Sequence, residues 1–434
     1  MDFCDREEEQ AALERNRMQA EKTGLFTLMI GRRRIGKTAL LLESVRGHRY
    51  LYLFVSRKTE ALLCAQFQKE AEHYLGFRSF GEIRGFRDLF EGLLLFAEKT
   101  PFTLIIDEFQ DLERINPAIF SEIQDLWDRY RQKSRINFIA CGSVYSLMMK
   151  IFENGKEPLF GRADSKFVIR PFKIAVIKEI LASYHARYNS EDLLCLYLLS
   201  GGVPRYISIL MDAGAVTRAK MLKAVCAMDS PFLGEGRELL VSEFGRDYGT
   251  YFSILQLIAR GKTTQTEVDS IIGKNTGSYL AALERDYCLI QKHKPLFSKP
   301  ESRNARWKID DNYLRFYFRF IYPNQTLIET GRNAALLELI EQNYDTYSGL
   351  VLEQYFKTKM SEEGSALIGS WWDRKGENEI DLIAYNKTEK SALLAEVKRN
   401  PKKINVSVLE GKARSLTELS GCRLEYRGLS LKDM

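Results

Sequence analysis

The sequence predicts a multidomain α/β protein: a parallel sheet covered by helices, a helical lid, a winged helix-turn-helix and a C-terminal α/β domain. Between about Leu25 and Phe172, five short apolar runs alternate with helical patterns long enough for crossover connections. From about Lys173 to Met228 the pattern is helical only. From about Tyr347 it reads helix, three strands, helix and strand, which indicates the second α/β domain.

Length and composition are typical of a globular protein with several domains. The chain has 434 residues, of which 45% are hydrophobic and 28% are charged, so two to four domains with sizeable cores are expected. The net charge of +6 is mild for this length, and no block of lysine and arginine concentrates it. This balance permits contact with nucleic acid without requiring it.

Cysteine usage and the apolar runs predict a cytoplasmic protein with no membrane span. The seven cysteines are scattered singly without a C-x-x-C pair, which argues against a zinc site or a disulfide framework and fits a reducing compartment. The start "MDFCDREEEQ" is acidic, unlike a secretory signal. Runs such as "LYLFV" and "LLLFA" are too short to cross a bilayer.

The patterns place five regions along the chain. We expect a nucleotide-binding core over residues 1–172, a helical lid over 173–240 and a winged helix-turn-helix over 241–300. An aromatic and arginine-rich bridge is expected over 301–345, and the second α/β domain over 346–434. No repeat, low-complexity tract or proline-rich linker marks the boundaries.

The stretch "GRRRIGKT" matches the phosphate-binding pattern G-x-x-x-x-G-K-[ST], with an apolar run before it and a helical pattern after it. Gly31 and Gly36 allow main-chain N–H groups to turn inward around phosphate oxygens. Lys37 is expected to reach the β- and γ-phosphates, and the Thr38 hydroxyl to ligate Mg²⁺. The predicted binding set for ATP also includes Arg32, Arg33, Arg34 and Ile35.

A second stretch, "PFTLIIDEFQDL", supplies the acidic half of a nucleotide-hydrolysing site. Four apolar residues lead into Asp107 and Glu108 at the expected C-terminal end of a strand. We expect Asp107 to hold Mg²⁺ through water and Glu108 to act as the general base for the attacking water. The spacing leaves room for an inserted strand between the two motif strands, as expected for hydrolases with an extra catalytic glutamate. A buried strand ending in a solvated acidic turn has the same pattern, but the upstream phosphate loop favours the catalytic interpretation.

The stretch from about residue 251 to 296 reads as three helices and a short hairpin, the order of a winged helix-turn-helix. Its expected recognition helix is weakly basic, and Arg285 stands between Glu284 and Asp286, which repel phosphates. A packing module or lever is therefore favoured over a reader of duplex DNA. In the following "RFYFRF", the aromatic spacing favours an interdomain core over a base-stacking platform.

Two expected strands near the C-terminus, "NEIDLIAY" and "ALLAEVK", carry acids and a lysine. Asp381 and Glu396 face each other if the strands pair through "NKTEK". Both would then ligate one Mg²⁺ or Mn²⁺, while Lys398 steadies the attacking water and the developing charge. Glu353, from a helical segment, would complete the acidic cluster, and Lys412 would touch a phosphate. The same pattern is typical of a solvated strand edge, so activity stays open.

These motifs together resemble the archaeal and bacterial ATPase family of the AAA+/STAND-like P-loop group that carries a C-terminal restriction-nuclease-like domain. "FCDREEEQAAL" is similar to its F-x-x-R-E-x-E box, which implies Arg6 and Glu7 near the nucleotide base. "FIACGSVYSLM" resembles its sensor strand, with Ser143 nearest the γ-phosphate. "PLFGRADSKFVI" implies Arg162 as an arginine finger, which would require a neighbouring subunit if it acts in trans. "LSGGVPRYI" implies Arg205 as a second sensor.

The resemblance also covers the C-terminal region through "DDNYLRFYFRFIYP" and "GSWWDRKGENEIDLIAY". Within that region the segment resembles PD-(D/E)xK nucleases at Asp381, Glu396 and Lys398, although Ile380 stands where the motif has proline. A restriction-endonuclease-like fold is therefore implied, with a second Mg²⁺ or Mn²⁺ at these residues.

Three functions remain open from the sequence. One is an ATP-hydrolysing enzyme whose nuclease-like domain acts on nucleic acid. Another is a nucleotide-switched regulatory or scaffold protein that binds a protein partner or DNA without cleaving it. A third is a DNA-binding regulator that acts through the winged helix. Metal-dependent cleavage that disappears in Lys398→Ala separates the first from the others.

Overall fold

The computed structural model describes residues 3–79, 83–244, 248–302, 304–364 and 366–434. The chain divides into two compact units, the first ending at Arg170 and the second beginning at Pro171. Within the described ranges no helix is both long enough and apolar enough to cross a bilayer.

The first unit alternates strands and helices. Its strands are β1 (Leu25–Ile30), β2 (Tyr50–Phe54), β3 (Phe102–Asp107), β4 (Ile136–Gly142) and β5 (Ser165–Val168). Its helices are α1 (Glu7–Ala20), α2 (Lys37–Ser44), α3 (Glu60–Leu75), α4 (Phe86–Lys99), α5 (Leu112–Ile115), α6 (Ile119–Tyr130) and α7 (Tyr145–Glu153). All the predicted apolar runs of this unit form strands, because helices cover both faces of the sheet and the strands can be apolar on both.

The strands of the first unit form one parallel sheet in the order β2-β3-β4-β1-β5. The strand between the two motif strands in the sheet is β4, which follows both of them in the sequence, whereas β2, the strand that lies between them in the sequence, is at the edge beside β3. Every residue of β1, β3 and β4 is buried. The carboxyl ends of β1, β3 and β4 therefore meet at one edge, where ligands of such sheets bind.

Large aromatic side chains form the core beneath that edge. The Phe26 ring stacks on Phe138 with centroids 4.3 Å apart, and Trp127 meets Phe26 edge to face. Phe109, fully buried, stacks on Phe120 and also contacts Phe138. Burying such rings contributes roughly 1.5–3 kcal/mol each, and it holds the turn after β3 in place.

The second unit begins with helices and continues into two small sheets. Its helices are α8 (Ile174–Tyr184), α9 (Ser190–Ser200), α10 (Pro204–Asp212), α11 (Arg218–Val225), α12 (Pro231–Phe244), α13 (Tyr248–Ala259), α14 (Gln265–Ile272), α15 (Gly277–Arg285), α16 (Asn312–Phe316), α17 (Gln325–Glu329), α18 (Asn333–Glu363) and α19 (Val406–Ala413). Its strands are β6 (Ile290–His293), β7 (Arg306–Ile309), β8 (Leu367–Trp372), β9 (Glu379–Asn386), β10 (Ser391–Val397) and β11 (Arg423–Leu429).

Helices α13 to α15 followed by the antiparallel pair β6–β7 have the element order predicted for that stretch. The last sheet has the order β11-β10-β9-β8. Strands β8, β9 and β10 are antiparallel neighbours, and β11 returns parallel to β10 after α19. The C-terminal order of helix, three strands, helix and strand also agrees with the sequence pattern.

The aromatic segment is core, as the sequence favours. Tyr313, Phe316, Tyr317, Phe318 and Phe320 are all essentially inaccessible to solvent. After α16 the helix widens to π geometry over five residues and then tightens into a 3₁₀ turn. Rings that are buried in this way are unavailable as a platform for nucleic-acid bases.

One predicted boundary does not coincide with the end of an element. Helix α18 runs without interruption from Asn333 to Glu363, so the boundary expected between residues 345 and 346 falls in its interior. The sequence pattern placed the start of this helix near Tyr347, about 14 residues after its observed start. The first half is held by burial of Leu336, Ile340 and Tyr344.

Candidate functional site

The predicted phosphate loop joins β1 to the start of α2. Gly36 and Arg34 have φ values of 91° and 71°, in the left-handed region that turns the main chain inward. A Cβ on Gly31 would lie 3.0 Å from the carbonyl oxygen of Ile169. Glycine at that position therefore permits the loop to pass close to the chain after β5, and the loop opens on the first turn of α2.

Lys37 is buried at the start of α2, with 7% of the residue exposed. Its Nζ donates to the carbonyl oxygens of Gly31 at 2.7 Å and Arg32 at 3.1 Å. Burial lowers the pKa of the ammonium, and nearby Cys141 and Glu108 oppose that effect. The charge is therefore held inside the loop by main-chain dipoles, at the place where a phosphate would meet it.

Asp107 ends β3 and accepts two hydroxyl hydrogen bonds on one oxygen. Thr38 Oγ1 lies 3.0 Å and Tyr52 OH lies 2.7 Å from Asp107 Oδ2. Burial and the bond to Asp107 raise the pKa of Tyr52, so Tyr52 acts as a donor. The predicted Mg²⁺ pair, Thr38 and Asp107, is in direct contact.

Glu108 lies in the left-handed region, with φ 55° and ψ 40°, which is strained for a residue with a Cβ. The buried ring of Phe109 holds this turn. Glu108 Oε2 accepts from Ser143 Oγ at 2.7 Å and from Gln110 Nε2 at 2.6 Å. The structure therefore brings the predicted general base and the predicted sensor serine together.

Sequence reasoning missed Tyr52 and Gln110. Tyr52 reaches Asp107 because β2 lies beside β3, which depends on strand order rather than on a motif. Gln110 is buried, and among the described residues its Oε1 has no hydrogen-bond partner. Its position two residues after Glu108 is the signal in the sequence that could have indicated it.

The predicted arginines are not all at this site. Arg6 is buried and donates to Glu9 at 3.2 Å and to the carbonyl oxygen of Arg170 at 2.6 Å, while Glu7 is exposed. Arg162 precedes β5 and pairs with Asp128 at 3.1 Å. Because β5 begins beside Thr27, Arg162 lies toward the amino edge of the sheet, away from the phosphate loop.

Arg162 is therefore not brought to the Lys37 site within one chain, and a role in trans stays a prediction. Arg205 belongs to the second unit, where it is exposed near the start of α10, and its role as a sensor also stays a prediction. Arg285 is exposed at the end of α15. Lys412 donates to the carbonyl oxygen of Glu379 at 3.0 Å, so its ammonium is engaged by strand β9.

The C-terminal strands pair as the sequence predicts. Ser391 pairs with Asn386 and Ala395 with Leu382, and continuing that register places Asp381 opposite Glu396. Asp381 Oδ2 accepts from Lys398 Nζ at 2.9 Å and from the Val397 N–H at 2.9 Å. We call Asp381, Glu396 and Lys398 the carboxylate–lysine site.

The contacts at this site differ from those of a preformed metal cluster. Among the described residues, no three histidine, cysteine, aspartate or glutamate side chains form a group that could hold a metal ion. The structure therefore does not assemble Glu353, Asp381 and Glu396 as one set. Instead the Lys398 ammonium lies between Asp381 and Glu396, 3.8 Å from Glu396 Oε1.

Glu353 nevertheless lies within electrostatic reach of the site. Burial and the neighbouring Asp381 raise its pKa to about 7. Burial lowers the pKa of Lys398, but its bond to Asp381 and the charges of Asp381, Glu396 and Glu353 together outweigh this effect, so the pKa lies above the ordinary value. Neighbouring carboxylates disfavour each other's charge and favour that of the lysine between them.

Beside it lies a group of cations that the sequence did not reveal: Lys308 on β7, Arg315 on α16 and Lys357 on α18, with His293 on β6. We call this group the cation recess. Burial, together with the neighbouring cations Lys308, Lys357 and Arg315, lowers the pKa of His293 to about 4. Burial also lowers the pKa values of Lys308 and Lys357. The feature of the sequence that could have indicated this group was the spacing of Glu353 and Lys357, which lie four residues apart on one helix.

The residues of the phosphate loop fit a triphosphate with Mg²⁺. The ammonium of Lys37 has main-chain carbonyls as its partners, Gly36 is in the left-handed region, and Thr38 and Asp107 share a hydrogen bond. Hydrolases with a strand inserted between the two motif strands carry this arrangement. The fold and the site together define a P-loop ATPase.

Comparison with known proteins gives the family. Residues 3–210 match an ATPase domain predominantly from Archaea, and residues 317–408 match archaeal and bacterial proteins of unknown function. An uncharacterized protein of Methanocaldococcus jannaschii is 31% identical over 406 residues, which cover 91% of this chain and 87% of the relative. The chain belongs to this family of archaeal-type ATPases with the additional C-terminal region.

Solved structures resemble the fold at low identity. The Walker-type ATPase of Pyrococcus abyssi has a TM-score of 0.54 and 18% identity, and the match covers 73% of this chain and 96% of that one. This likeness concerns the fold alone. The ORC2 protein of Aeropyrum pernix, solved in ADPNP–ADP complexes, has a TM-score of 0.49 and 16% identity, with 76% of this chain and 96% of that one covered.

Proposed function

We propose that the first unit hydrolyses ATP with Glu108 as general base, and that the nucleotide state controls a C-terminal domain acting on nucleic acid. One observation carries the hydrolytic part: separate hydroxyl donors hold the two carboxylates after β3. Thr38 and Tyr52 hold Asp107, while Ser143 holds Glu108. Oriented carboxylates of this kind are what phosphoryl transfer to water requires.

Each residue has a role that follows from its contacts. Lys37 exchanges its carbonyl partners for phosphate oxygens, and Thr38 and Asp107 hold the Mg²⁺. When bound, Mg²⁺ neutralises charge that develops on the phosphate oxygens. Both bonds to Glu108 reach Oε2, so Oε1 is the atom that accepts the proton of the attacking water.

The direct test is Lys37→Ala, with calorimetry for ATP binding and phosphate release for turnover. We expect both to fall by about a hundredfold or more, because a buried phosphate-binding charge is lost. Lys58→Ala is the matched control, since Lys58 is exposed and its ammonium donates to the Gln66 side chain. Hydrolysis at the wild-type rate by Lys37→Ala would contradict the assignment.

A second candidate activity is metal-dependent cleavage of nucleic acid at the carboxylate–lysine site. It is supported by the opposed positions of Asp381 and Glu396 and by the contact of Lys398 with Asp381. These oxygen donors suit Mg²⁺ or Mn²⁺, and metal binding requires Lys398 to leave Asp381. This proposal includes two finer assignments. The C-terminal strands are those of a PD-(D/E)xK nuclease-like domain, and the segment from α13 to β7 is a winged helix.

A cleavage panel tests this activity on linear, circular, single-stranded and branched substrates, with and without ATP. We expect Mn²⁺-dependent cutting by the wild type that is lost in Lys398→Ala, while ATP hydrolysis is retained. Wild-type protein that cuts none of these substrates would instead favour a nucleotide-switched protein that binds its partner without cleavage.

Contacts inside the second unit support control of the site by the helical region. Arg399, the neighbour of Lys398, forms ion pairs with Glu191 on α9 and with Asp345 on α18, the latter at 2.9 Å. Its Nη1 also lies 2.7 Å from Ser348 Oγ. A shift of α9 would therefore be transmitted to the strand end that carries Lys398.

A further inference from the structure

We propose that the cation recess of Lys308, Arg315 and Lys357 binds a phosphate group of a nucleic-acid strand next to the carboxylate–lysine site. This inference rests on the proposed action of the C-terminal domain on nucleic acid and specifies how the strand is held. The recess is formed by the β6–β7 hairpin and α16, which follow one another in the sequence, and by α18.

The cations of the recess are bonded mainly to neutral groups. Lys308 Nζ donates to the side-chain oxygen of Gln354, and Lys357 Nζ lies 2.5 Å from Ser370 Oγ. Arg315 donates to Asn312 Oδ1 at 2.7 Å. Buried lysines and arginines are ordinarily paired with carboxylates, so neutral partners leave positive charge that an anion can compensate.

Two further observations concern the charge of this group. Arg315 is 8% exposed, and among the residues that the structure describes its Nε has no hydrogen-bond partner. Lys357 Nζ lies 4.0 Å from Glu353 Oε2, at the limit of an ion pair. Carboxylates also act electrostatically on these lysines, Glu353, Asp381 and Glu379 on Lys357 and Glu353 and Asp310 on Lys308, but the hydrogen bonds of both ammonium groups go to neutral side chains.

The recess remains open to an incoming group. The side chain of Lys357 is 18% exposed and that of Lys398 is 37% exposed. Lys308 and His293 are also partly exposed. Two flexible ammonium groups at the rim and a guanidinium at the base can together donate to one phosphate.

Position favours nucleic acid over a small anion. Lys357 Nζ lies 4.0 Å from Glu353, and Lys308 donates to Gln354, the next residue of α18. Glu353 in turn interacts electrostatically with Asp381 and Lys398, so the recess and the carboxylate–lysine site adjoin. Phosphates repeat along a strand, and a strand placed at Lys398 presents a neighbouring phosphate to the recess. The group is either an internal phosphodiester or a terminal phosphate, and both share the chemistry that the recess recognises.

The test is oligonucleotide binding to the full chain in EDTA, measured by fluorescence anisotropy. The probes are internally labelled single-stranded and duplex oligonucleotides with a 5′-phosphate or a 5′-hydroxyl. Lys308→Met and Lys357→Met remove the charge with little change in shape. We expect about tenfold weaker binding in each, and a salt dependence reduced by about one unit of slope. Lys402→Met, on an exposed turn, should bind like the wild type.

The probes distinguish the two sources of phosphate. A loss confined to 5′-phosphorylated strands indicates a terminal phosphate, and an equal loss on all probes indicates an internal one. Both outcomes support the inference. Wild-type affinity of both variants for every probe would overturn it.

Thermal unfolding provides a second readout in case a variant folds poorly. Oligonucleotide should raise the melting temperature of the wild type, but not that of a folded Lys308→Met. An equal rise in both would also overturn the inference. Because EDTA prevents cleavage, absence of nuclease activity would not affect this result. Conversely, if the wild type cleaves nucleic acid but both variants bind every probe as tightly as the wild type, the inference about the recess fails while the proposed function stands.

Discussion

The nucleotide site of the first unit and the carboxylate–lysine site of the second use the same residue types but connect them differently. At the first, Lys37 is bonded to main-chain carbonyls and the carboxylates to hydroxyls. At the second, Lys398 is bonded directly to Asp381. The contacts of the nucleotide site are therefore arranged for its ligands in advance. A metal at the carboxylate–lysine site would have to displace the Lys398 ammonium from Asp381.

The difference follows from the local backbone. A glycine loop before a helix exposes main-chain dipoles that can solvate a lysine, so the acids of β3 stay available to the ligand. Two paired strands bond most of their main-chain groups to each other. The lysine that follows β10 therefore has its partner in the Asp381 carboxylate on β9.

The largest expected effect is on Glu108. Glu108→Gln removes the proton acceptor while keeping an oxygen for Ser143, so ATP turnover should fall on the order of a hundredfold or more. ATP affinity should change little, which equilibrium binding of a fluorescent ATP analogue can measure. Glu113→Gln, at the surface beside Lys150, is the control. Wild-type turnover in Glu108→Gln would show that Glu108 is not the general base of the nucleotide site.

Acid should destabilise the second unit through His293. Its folded pKa of about 4 lies below the ordinary value of 6.5, so the unfolded chain takes up the proton first as the pH falls. Stability is therefore lost between these two values, on the order of 2 kcal/mol by about pH 5. Urea unfolding followed by tryptophan fluorescence should show a smaller loss in His293→Gln. His185→Gln, in the same unit, should behave like the wild type. If His293→Gln loses as much stability on acidification as the wild type, His293 is not the cause.

Removing the ammonium at the carboxylate–lysine site should strengthen metal binding. In Lys398→Met, Asp381 and Glu396 face each other without a cation between them, so Mn²⁺ should bind about tenfold more tightly. Calorimetry measures this directly. Lys412→Met is the control because Lys412 bonds to a main-chain carbonyl. Equal Mn²⁺ affinity in wild type and Lys398→Met would show that the lysine does not compete with metal.

The smallest effect concerns Tyr52. Tyr52→Phe removes one of the two hydroxyl donors to Asp107, a hydrogen bond to a charged group worth roughly 1.5–3 kcal/mol when fully buried. Because Tyr52 is only partly buried, we expect a severalfold higher Mg²⁺ concentration for half-maximal ATP hydrolysis. Tyr50→Phe, exposed on the same strand, should leave the Mg²⁺ requirement unchanged. A Tyr52→Phe titration that overlays the wild type would remove Tyr52 from the site.

Local motifs were predictable, whereas contacts between strands were not. Lys37 and Thr38 are adjacent in the sequence, as are Asp107 and Glu108, so their chemistry could be inferred from short stretches. The hydrogen bond from Tyr52 to Asp107 depends on β2 lying beside β3. Residue spacing alone does not determine which strands are neighbours.

Sequence alone determined the phosphate loop, the acidic pair at the end of β3, the five strands of the first unit and the C-terminal order of helix, three strands, helix and strand. These features depend on residue type and on hydrophobic period, which are local properties of the chain. Tertiary structure alone decided that Lys398 bonds to Asp381, that α18 continues through residue 346, and that Lys308, Arg315 and Lys357 share one recess. These contacts depend on which segments pack against each other and exclude water. A charged side chain finds its partner only after those segments have packed.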